Sequence, residues 1–475
     1  MIGLLAGLLL QAQEAATFAD LRARADALLA PLIAEADIVP AARVERLDGA
    51  VVYERRGAEP LVIASNIKVL TTAAALLALG PDFRWTTTVV EEDGRIWLSS
   101  DGDPALRRLG DRDVPAAFLE ALAQALRARQ AVAPTEIVLD ARAFTGPLRH
   151  PLWPEDQWQE EYCAPVAALS LEGGCLELQV SGGLLRAYPP AAAAFRFERK
   201  SADDAQAWSA TWNGARDAIL VRGSGSGKGP LRFAVADPLA VYSAWLEEGL
   251  RARGIVPGAI RFAAAEEAAP AAAPILILKS AWTLADAVVV CNKESDNTLA
   301  EVLLRTLGRA RGGDGSNESG LKAVREVLAA VGCDLTSLTQ ADGSGLARSE
   351  SARVNACSPA LLCAVLRSMA GPAGERDGIG RVFFDSLPIG GVEAKVRDSF
   401  RDPLFQPQRV HAKTGWIRGA SSLSGYLLAP DGEPLVFAIL VNYRSDGSER
   451  TNNKRFRRVQ EDLLGEVLRA WPKTE

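Results

Sequence analysis

Leu61-Val-Ile-Ala-Ser65-Asn-Ile-Lys68-Val-Leu-Thr-Thr-Ala-Ala-Ala-Leu-Leu-Ala-Leu79 is the stretch from which the rest of the chain can be read. From Ser65 it is rich in helix formers, and it ends at Gly80-Pro81, a firm stop signal. Ser65 and Lys68 stand three apart at the start of that helix, so their side chains share one face and can touch. A serine hydroxyl is a poor nucleophile until a base takes its proton, and a lysine can take it when burial or a neighbouring cation weakens its own hold on a proton. The positive end of a helix favours the anionic oxygen that then develops. Alone the pair says little: Ser-x-x-Lys is expected about twice by chance in a chain of this length. A second copy, Ser319-Gly-Leu-Lys322, opens what reads as a surface amphipathic helix and is assigned a capping role.

Two further triplets follow in order, Ser295-Asp296-Asn297 and Lys413-Thr414-Gly415, the latter leading into an apolar strand from Ser421 to Leu428. Ser295 can relay a proton to a leaving amine, Asn297 can hold a substrate carbonyl and Lys68, and Lys413 supplies a cation at a substrate carboxylate. Gly415 lets an edge strand approach the substrate closely. Singly, Ser295 to Asn297 also reads as the cap of a helix from Thr298 to Leu307, and Lys413 as a surface lysine before a turn.

Composition narrows the chemistry. The 475 residues exceed one ordinary core, so two or three domains are expected, and 48% hydrophobic with 24% charged residues describes a packed globular protein. A net charge of −6 argues against a nucleic-acid partner, and the short basic cluster from Lys454 to Arg458 reads as a solvated helix face. With only two histidines, His150 and His411, a lysine base is favoured over a histidine one, and neither a metal site nor a cofactor is expected. The six cysteines match no zinc spacing. Cys163 and Cys175, flanking Gly173-Gly174, are the best disulfide candidates, with buried thiols the competing reading. Met1 to Ala12 is apolar, too short for a membrane span but the length of a signal-peptide core, so residues 1–16 are read as an export signal, atypical in lacking a leading Lys or Arg. No integral membrane span is expected elsewhere.

The two ends of the chain look alike. A helix is expected over 17–35 after Thr17, then strands from Val44 to Leu47 and Ala50 to Glu54; near the C-terminus a hairpin across Ala429-Pro430-Asp431-Gly432 precedes a helix from Asn453 to Ala470. That is an α+β arrangement built from distant sequence. Between them, from about residue 84 to 265, short strands and turns suggest inserted small domains, followed by a linker at Ala263 to Pro274. Gly223 to Lys228 lacks the phosphate-loop pattern and is read as a turn.

The three motifs in this order are those of β-lactamases and penicillin-binding proteins. The chain as a whole resembles the penicillin-binding D-alanyl-D-alanine carboxypeptidases and endopeptidases of the low-molecular-mass class with two inserted domains. The segments Asp342-Gly-Ser-Gly-Leu-Ala-Arg348, Tyr162-Cys-Ala-Pro-Val-Ala-Ala-Leu169, Leu387-Pro-Ile-Gly-Gly-Val392, Gly102-Asp-Pro104 and Ser421-Ser-Leu-Ser-Gly-Tyr426 carry this likeness. It implies an α+β penicillin-binding/β-lactamase-like core, an antiparallel sheet with flanking helices, over 17–83 plus 269–475. It further implies two small β-rich domains, at 84–174 plus 238–268 and at 175–237.

By the same resemblance Ser65 forms an acyl-enzyme with peptidoglycan stem peptides, the oxyanion sits between the backbone N–H groups of Ser65 and Trp416, and β-lactams acylate Ser65. Thr414, Gly415 and Trp416 would contact substrate, and Arg348 would bind an acidic group of the stem. The implied location is periplasmic or extracytoplasmic. Two positions depart from relatives: Trp416 stands where a hydroxyl residue is usual, and Ile63 where proline is. A β-lactamase-like or esterase hydrolase and a catalytically weakened wall-binding protein are the alternative readings.

Overall fold

The computed structural model describes residues 19–181, 184–190, 196–200, 209–216, 218–222, 230–349, 351–370, 378–406, 408–444 and 449–472. The expected export signal, the Thr17 cap and the Gly223 to Lys228 turn lie outside them. The chain divides into two compact units, one holding the chain up to Pro81, Val288–Asp296 and everything from Leu321 on, the other Asp82–Ala287 and Asn297–Gly320.

The first unit is built on a five-stranded antiparallel sheet in the order Val410–Ile417, Ala420–Leu428, Pro434–Tyr443, Ile38–Arg46, Val51–Arg55. Alternate residues of the third strand, Leu435, Phe437, Ile439 and Val441, share a core with Leu21 and Leu29 of a helix over 19–33 and with Phe456, Leu464 and Val467 of the C-terminal helix Glu449–Ala470. The intervening Val436, Ala438 and Leu440 are buried on the opposite face. There Tyr426 donates to the Leu366 carbonyl (2.7 Å) in the helix Pro359–Ala370, and Phe384 of the helix Ile379–Ser386 tilts against Tyr426. Both faces are covered, so this strand reads as an unbroken apolar run rather than an alternation.

The first strand begins at Ile38, six residues before the strand expected at Val44. Pro40 conceals that start in the sequence, since proline usually marks a strand's end; here it pairs only with Val441, because the neighbour on the other side does not join until Ala42.

In the second unit a five-stranded sheet runs in the order Ile260–Phe262, Glu136–Asp140, Arg95–Ser100, Thr86–Glu92, Pro274–Lys279, the first three parallel and the last two antiparallel. The helices Val114–Ala128 and Pro238–Arg251 pack through Phe118 and Trp245, whose rings lie 5.9 Å apart. The same core takes in Leu176, Leu178, Ile219 and Phe233 from two three-stranded sheets. The helix Asn297–Ala310 belongs to this unit: Thr306 accepts from the Trp85 indole (2.9 Å) and Arg305 donates to the Thr145 and Pro147 carbonyls (3.1 and 2.6 Å).

Three expectations are corrected. The expected linker from Ala263 to Pro274 is irregular up to Ala273, with Pro274 already opening the strand Pro274–Lys279, but it is tied down: Arg142 donates to the carbonyls of Ala264, Ala265 and Glu267, and Arg261 bonds Glu267. The bridge expected between Cys163 and Cys175 is not formed; all six cysteines are buried thiols, and the Cys175 thiol points to the Gly173 carbonyl (3.9 Å). Burial as small apolar groups satisfies both without a covalent link. Finally, the cap of the helix Asn317–Ala330 is Ser316, which accepts from the Ser319 N–H (3.1 Å); Ser319 lies inside the first turn.

Candidate active site

Ser65 is the middle residue of a single 3₁₀ turn, Ala64–Asn66, which feeds directly into the helix Ile67–Leu79. The turn is strained: Ala64 has φ +47°, a conformation that costs a non-glycine residue about 1–3 kcal/mol and clusters at functional sites. It is clamped from two sides. The Ile63 carbonyl accepts from Ser422 Oγ (2.6 Å) and the Asn66 N–H (3.1 Å), and the Ile63 N–H donates to the Asn355 carbonyl (3.0 Å). Proline at position 63 would lack that last donor, so the departure noted in the sequence gains a bond. On the other side Gly345, with φ +83°, lies so close that a β-carbon there would stand 2.0 Å from the Ala64 carbonyl oxygen.

Lys68 is fully buried, its ammonium 3.2 Å from Ser65 Oγ and 2.8 Å from the Ser344 carbonyl. That carbonyl belongs to the loop from Asp342 to Arg348, which is wrapped around the buried Asp342 carboxylate. Asp342 accepts from the N–H groups of Gly345 (2.6 Å) and Ala347 (2.7 Å), from Ser344 Oγ (3.2 Å) and from Asn355 Nδ2 (3.0 Å). Thr71, one turn after Lys68, donates to the Gly343 carbonyl (2.9 Å). The loop therefore serves as the socket of the lysine.

Lys413 is also fully buried and donates to Ser295 Oγ (2.9 Å) and to the Thr414 carbonyl (3.0 Å). Burial first, and the like charge of Lys68 second, hold its ammonium well below the usual lysine range. Lys413 is thus an interior group bonded to Ser295 and not the surface lysine that its place before a turn also allowed. Ser295 itself is held at φ +60°, a second strained residue. Gly415 has a different reason for being glycine than the one expected: a β-carbon would lie 2.5 Å from the Ile63 carbonyl and 2.3 Å from Ser422 Oγ, on the inner side of the strand.

Asn66 ties the nucleophile turn to that strand. Its carboxamide reaches the hydroxyls of Ser422 and Ser424, and with nitrogen toward Ser424 it also meets the Lys413 carbonyl and the Gly415 N–H at 3.2 Å. Asn66, Asp342 and Asn355 escaped the sequence reading. Asn66 lay inside a quoted motif, and Asp342 opened a quoted segment, but polar residues built inward carry no periodic signal.

The strand Val410–Ile417 is the sheet's edge. The segment Pro388–Gly390 covers its first residues, through bonds between Gly390 N–H and the Val410 carbonyl and between Ala412 N–H and the Pro388 carbonyl (both 2.9 Å). No described strand of this unit pairs with its outer edge beyond them. Thr414 and Trp416 project to the face opposite Lys413, and Trp416 is 41% exposed. Arg348 is half-buried at the end of the Asp342 loop. His411 stacks on Phe384 at 4.0 Å. In the second unit Asn297 opens its helix, buried, with Nδ2 donating to the Tyr162 carbonyl (2.8 Å), and His150 accepts from the Leu152 N–H (3.1 Å). Among the described residues no cluster of His, Cys, Asp or Glu suited to a metal ion occurs, and no helix is long and apolar enough to cross a membrane.

A sequence model of the D-Ala-D-Ala carboxypeptidase 3 (S13) family matches residues 28–462. The D-alanyl-D-alanine carboxypeptidase of Actinomadura sp. (strain R39) is 28% identical over 473 residues, spanning 90% of this chain and 82% of that protein. Penicillin binding protein 4 (dacB) from Haemophilus influenzae superposes with a TM-score of 0.74 at 23% identity, covering 94% of this chain and 99% of that one. Its complex with a novel beta-lactam superposes with a TM-score of 0.70 at 22% identity over the same shares. The fold is thus the penicillin-binding α+β fold that the motifs implied.

Proposed function

From the premise that this chain belongs to the D-Ala-D-Ala carboxypeptidase 3 (S13) family and is a serine-type D-Ala-D-Ala carboxypeptidase, we propose that Ser65 carries the reaction through an acyl-enzyme on peptidoglycan stem peptides. The observation that carries this reading is the fully buried Lys68, whose side-chain nitrogen lies 3.2 Å from Ser65 Oγ and acts as a base in its neutral amine form. Lys68 takes the hydroxyl proton as Ser65 attacks the carbonyl between two D-alanines. The backbone N–H groups of Ser65 and Trp416 receive the oxyanion. Ser295, polarised by Lys413, passes a proton to the departing amine, and Asn297 holds a substrate carbonyl. Water then hydrolyses the ester.

The stem peptide lies as an added strand along the open edge at Thr414 to Trp416, with Arg348 meeting an acidic group. β-Lactams acylate the same serine, a reading supported by the beta-lactam complex of the Haemophilus influenzae protein. Action on stem peptides assigns the enzyme to an extracytoplasmic place. The proposed core is 17–83 plus 269–475, with inserted domains at 84–174 plus 238–268 and 175–237; the two three-stranded sheets of the second unit support the last, whereas Pro274–Lys279 and the helix Asn297–Ala310 fall in that second unit rather than in the first.

Cleavage of a D-centre crosslink is part of the proposal, because the exposed Trp416 presents a broad, mostly apolar ring face where relatives carry a small hydroxyl that grips a free terminal carboxylate. Purified enzyme incubated with monomeric pentapeptide and with crosslinked muropeptide tests both points. Wild type releases D-alanine and Ser65→Ala does not; release by the variant overturns the reading. Trp416→Ser shifts kcat/KM toward the free carboxylate by about tenfold relative to the crosslink, and an unchanged ratio removes Trp416 from substrate choice.

A further inference from the structure

Arg149 is a half-buried guanidinium whose hydrogen-bond partners are all backbone carbonyls. Its Nε donates to Cys163 (2.8 Å), one terminal nitrogen to Val235 (2.6 Å) and Trp158 (3.2 Å), and the other to Ala236 (3.4 Å). Burial holds its proton affinity down, to a pKa of about 10. The segment it gathers, from Glu155 to Cys163, consists of two single 3₁₀ turns and no strand, so its carbonyls have no ladder to satisfy them. Arg216 also lies over the Trp158 ring (4.4 Å, against 5.3 Å for Arg149), and the Ala234 N–H donates to the Gln159 carbonyl (3.0 Å). One residue before the carbonyl taken by Arg149 Nε is Tyr162, whose own carbonyl receives the Asn297 amide.

We propose that Arg149 is a positioning residue of the reaction: by fixing the Trp158 to Cys163 backbone it fixes the Tyr162 carbonyl, which sets the rotation of the Asn297 carboxamide. The carboxamide has two chemically different ends, and the bond from one Nδ2 hydrogen to a fixed carbonyl decides where the second hydrogen, which can meet a substrate carbonyl, and the oxygen point. A backbone carbonyl can play that part only if its peptide plane is itself held. Nothing in the sequence around Gly146-Pro-Leu-Arg149 announces this, since a lone arginine in a Pro-rich loop ordinarily reads as a surface charge.

The inference rests on the proposed role of Asn297, and a double-mutant cycle separates the two. Acylation by fluorescent penicillin is timed in wild type, Arg149→Met, Asn297→Ala and the double variant, with thermal melting followed in each. Arg149→Met slows acylation about tenfold in the wild-type background and less than twofold where Asn297 is already alanine. Equal losses in both backgrounds overturn the inference, since they mean that Arg149 acts on stability or on another residue. If Arg149→Met does not fold, Arg149→Lys takes its place in the cycle under the same criterion. An Asn297→Ala variant as fast as wild type overturns the inference together with the role of Asn297. Absence of labelling in wild type defeats the acyl-enzyme reading itself.

Discussion

At the scale of single residues the site brings together buried polar groups from distant parts of the chain, such as Lys68 with the Ser344 carbonyl and Lys413 with Ser295. Lys413 shows what that burial does. Its lowered proton affinity means that, from its depressed value up to about 10.5, the unfolded chain binds a proton that the folded chain does not. Stability therefore rises with pH across that window, by up to about 1.4 kcal/mol per pH unit from this group. Thermal unfolding followed through the alkaline range checks it: Lys413→Met has a shallower rise than wild type, and parallel curves contradict the depressed lysine. The residues proposed to be catalytic were legible because each is written in a short ordered motif. Asp342 as the hub of the lysine socket was not, since a buried carboxylate bonded to backbone N–H groups leaves no pattern at any period. Ile63 was visible only as a departure, and its bond to Asn355 gives it a reason.

At the scale of elements, the edge strand and the nucleophile turn are built against each other. The strand's inner face at Gly415 touches the Ile63 carbonyl, and Asn66 bonds Ser422 and Ser424 on the neighbouring strand. Gly415→Ala pushes a methyl group into that carbonyl. The expected cost is about 1–3 kcal/mol of stability, together with a slowed acylation, because the displaced segment carries Ser65. Melting temperature and labelling rate, measured on the same preparation, check the pair; an unaltered rate contradicts the coupling. The hairpin across Ala429 to Gly432 and the closing helix were readable from turn chemistry and period. The start of the first strand was not, because Pro40 tolerates an edge position that sequence alone cannot distinguish from a strand end. Nor was the fixing of Ala263 to Pro274, where composition suggests a linker and the distant Arg142 and the adjacent Arg261 hold it.

At the scale of the whole molecule, α+β class and inserted material followed from the similarity of the two chain ends and the contrast of the middle. What the pattern could not give is how the middle packs: Leu122, Leu178 and Phe233 meet in one core although the chain between them crosses three sheets. Lys68 stands within hydrogen-bond reach of Ser65 Oγ, whereas His411 stacks on Phe384, which favours the lysine as the base. The central claim, a nucleophilic Ser65 activated by Lys68, is tested most directly by mass spectrometry after exposure to penicillin. The account predicts one acyl adduct, mapped to the peptide bearing Ser65, absent in Ser65→Ala and formed on the order of a thousandfold more slowly in Lys68→Ala. An adduct on any other residue, Ser319 included, or one that persists in Ser65→Ala, would contradict it.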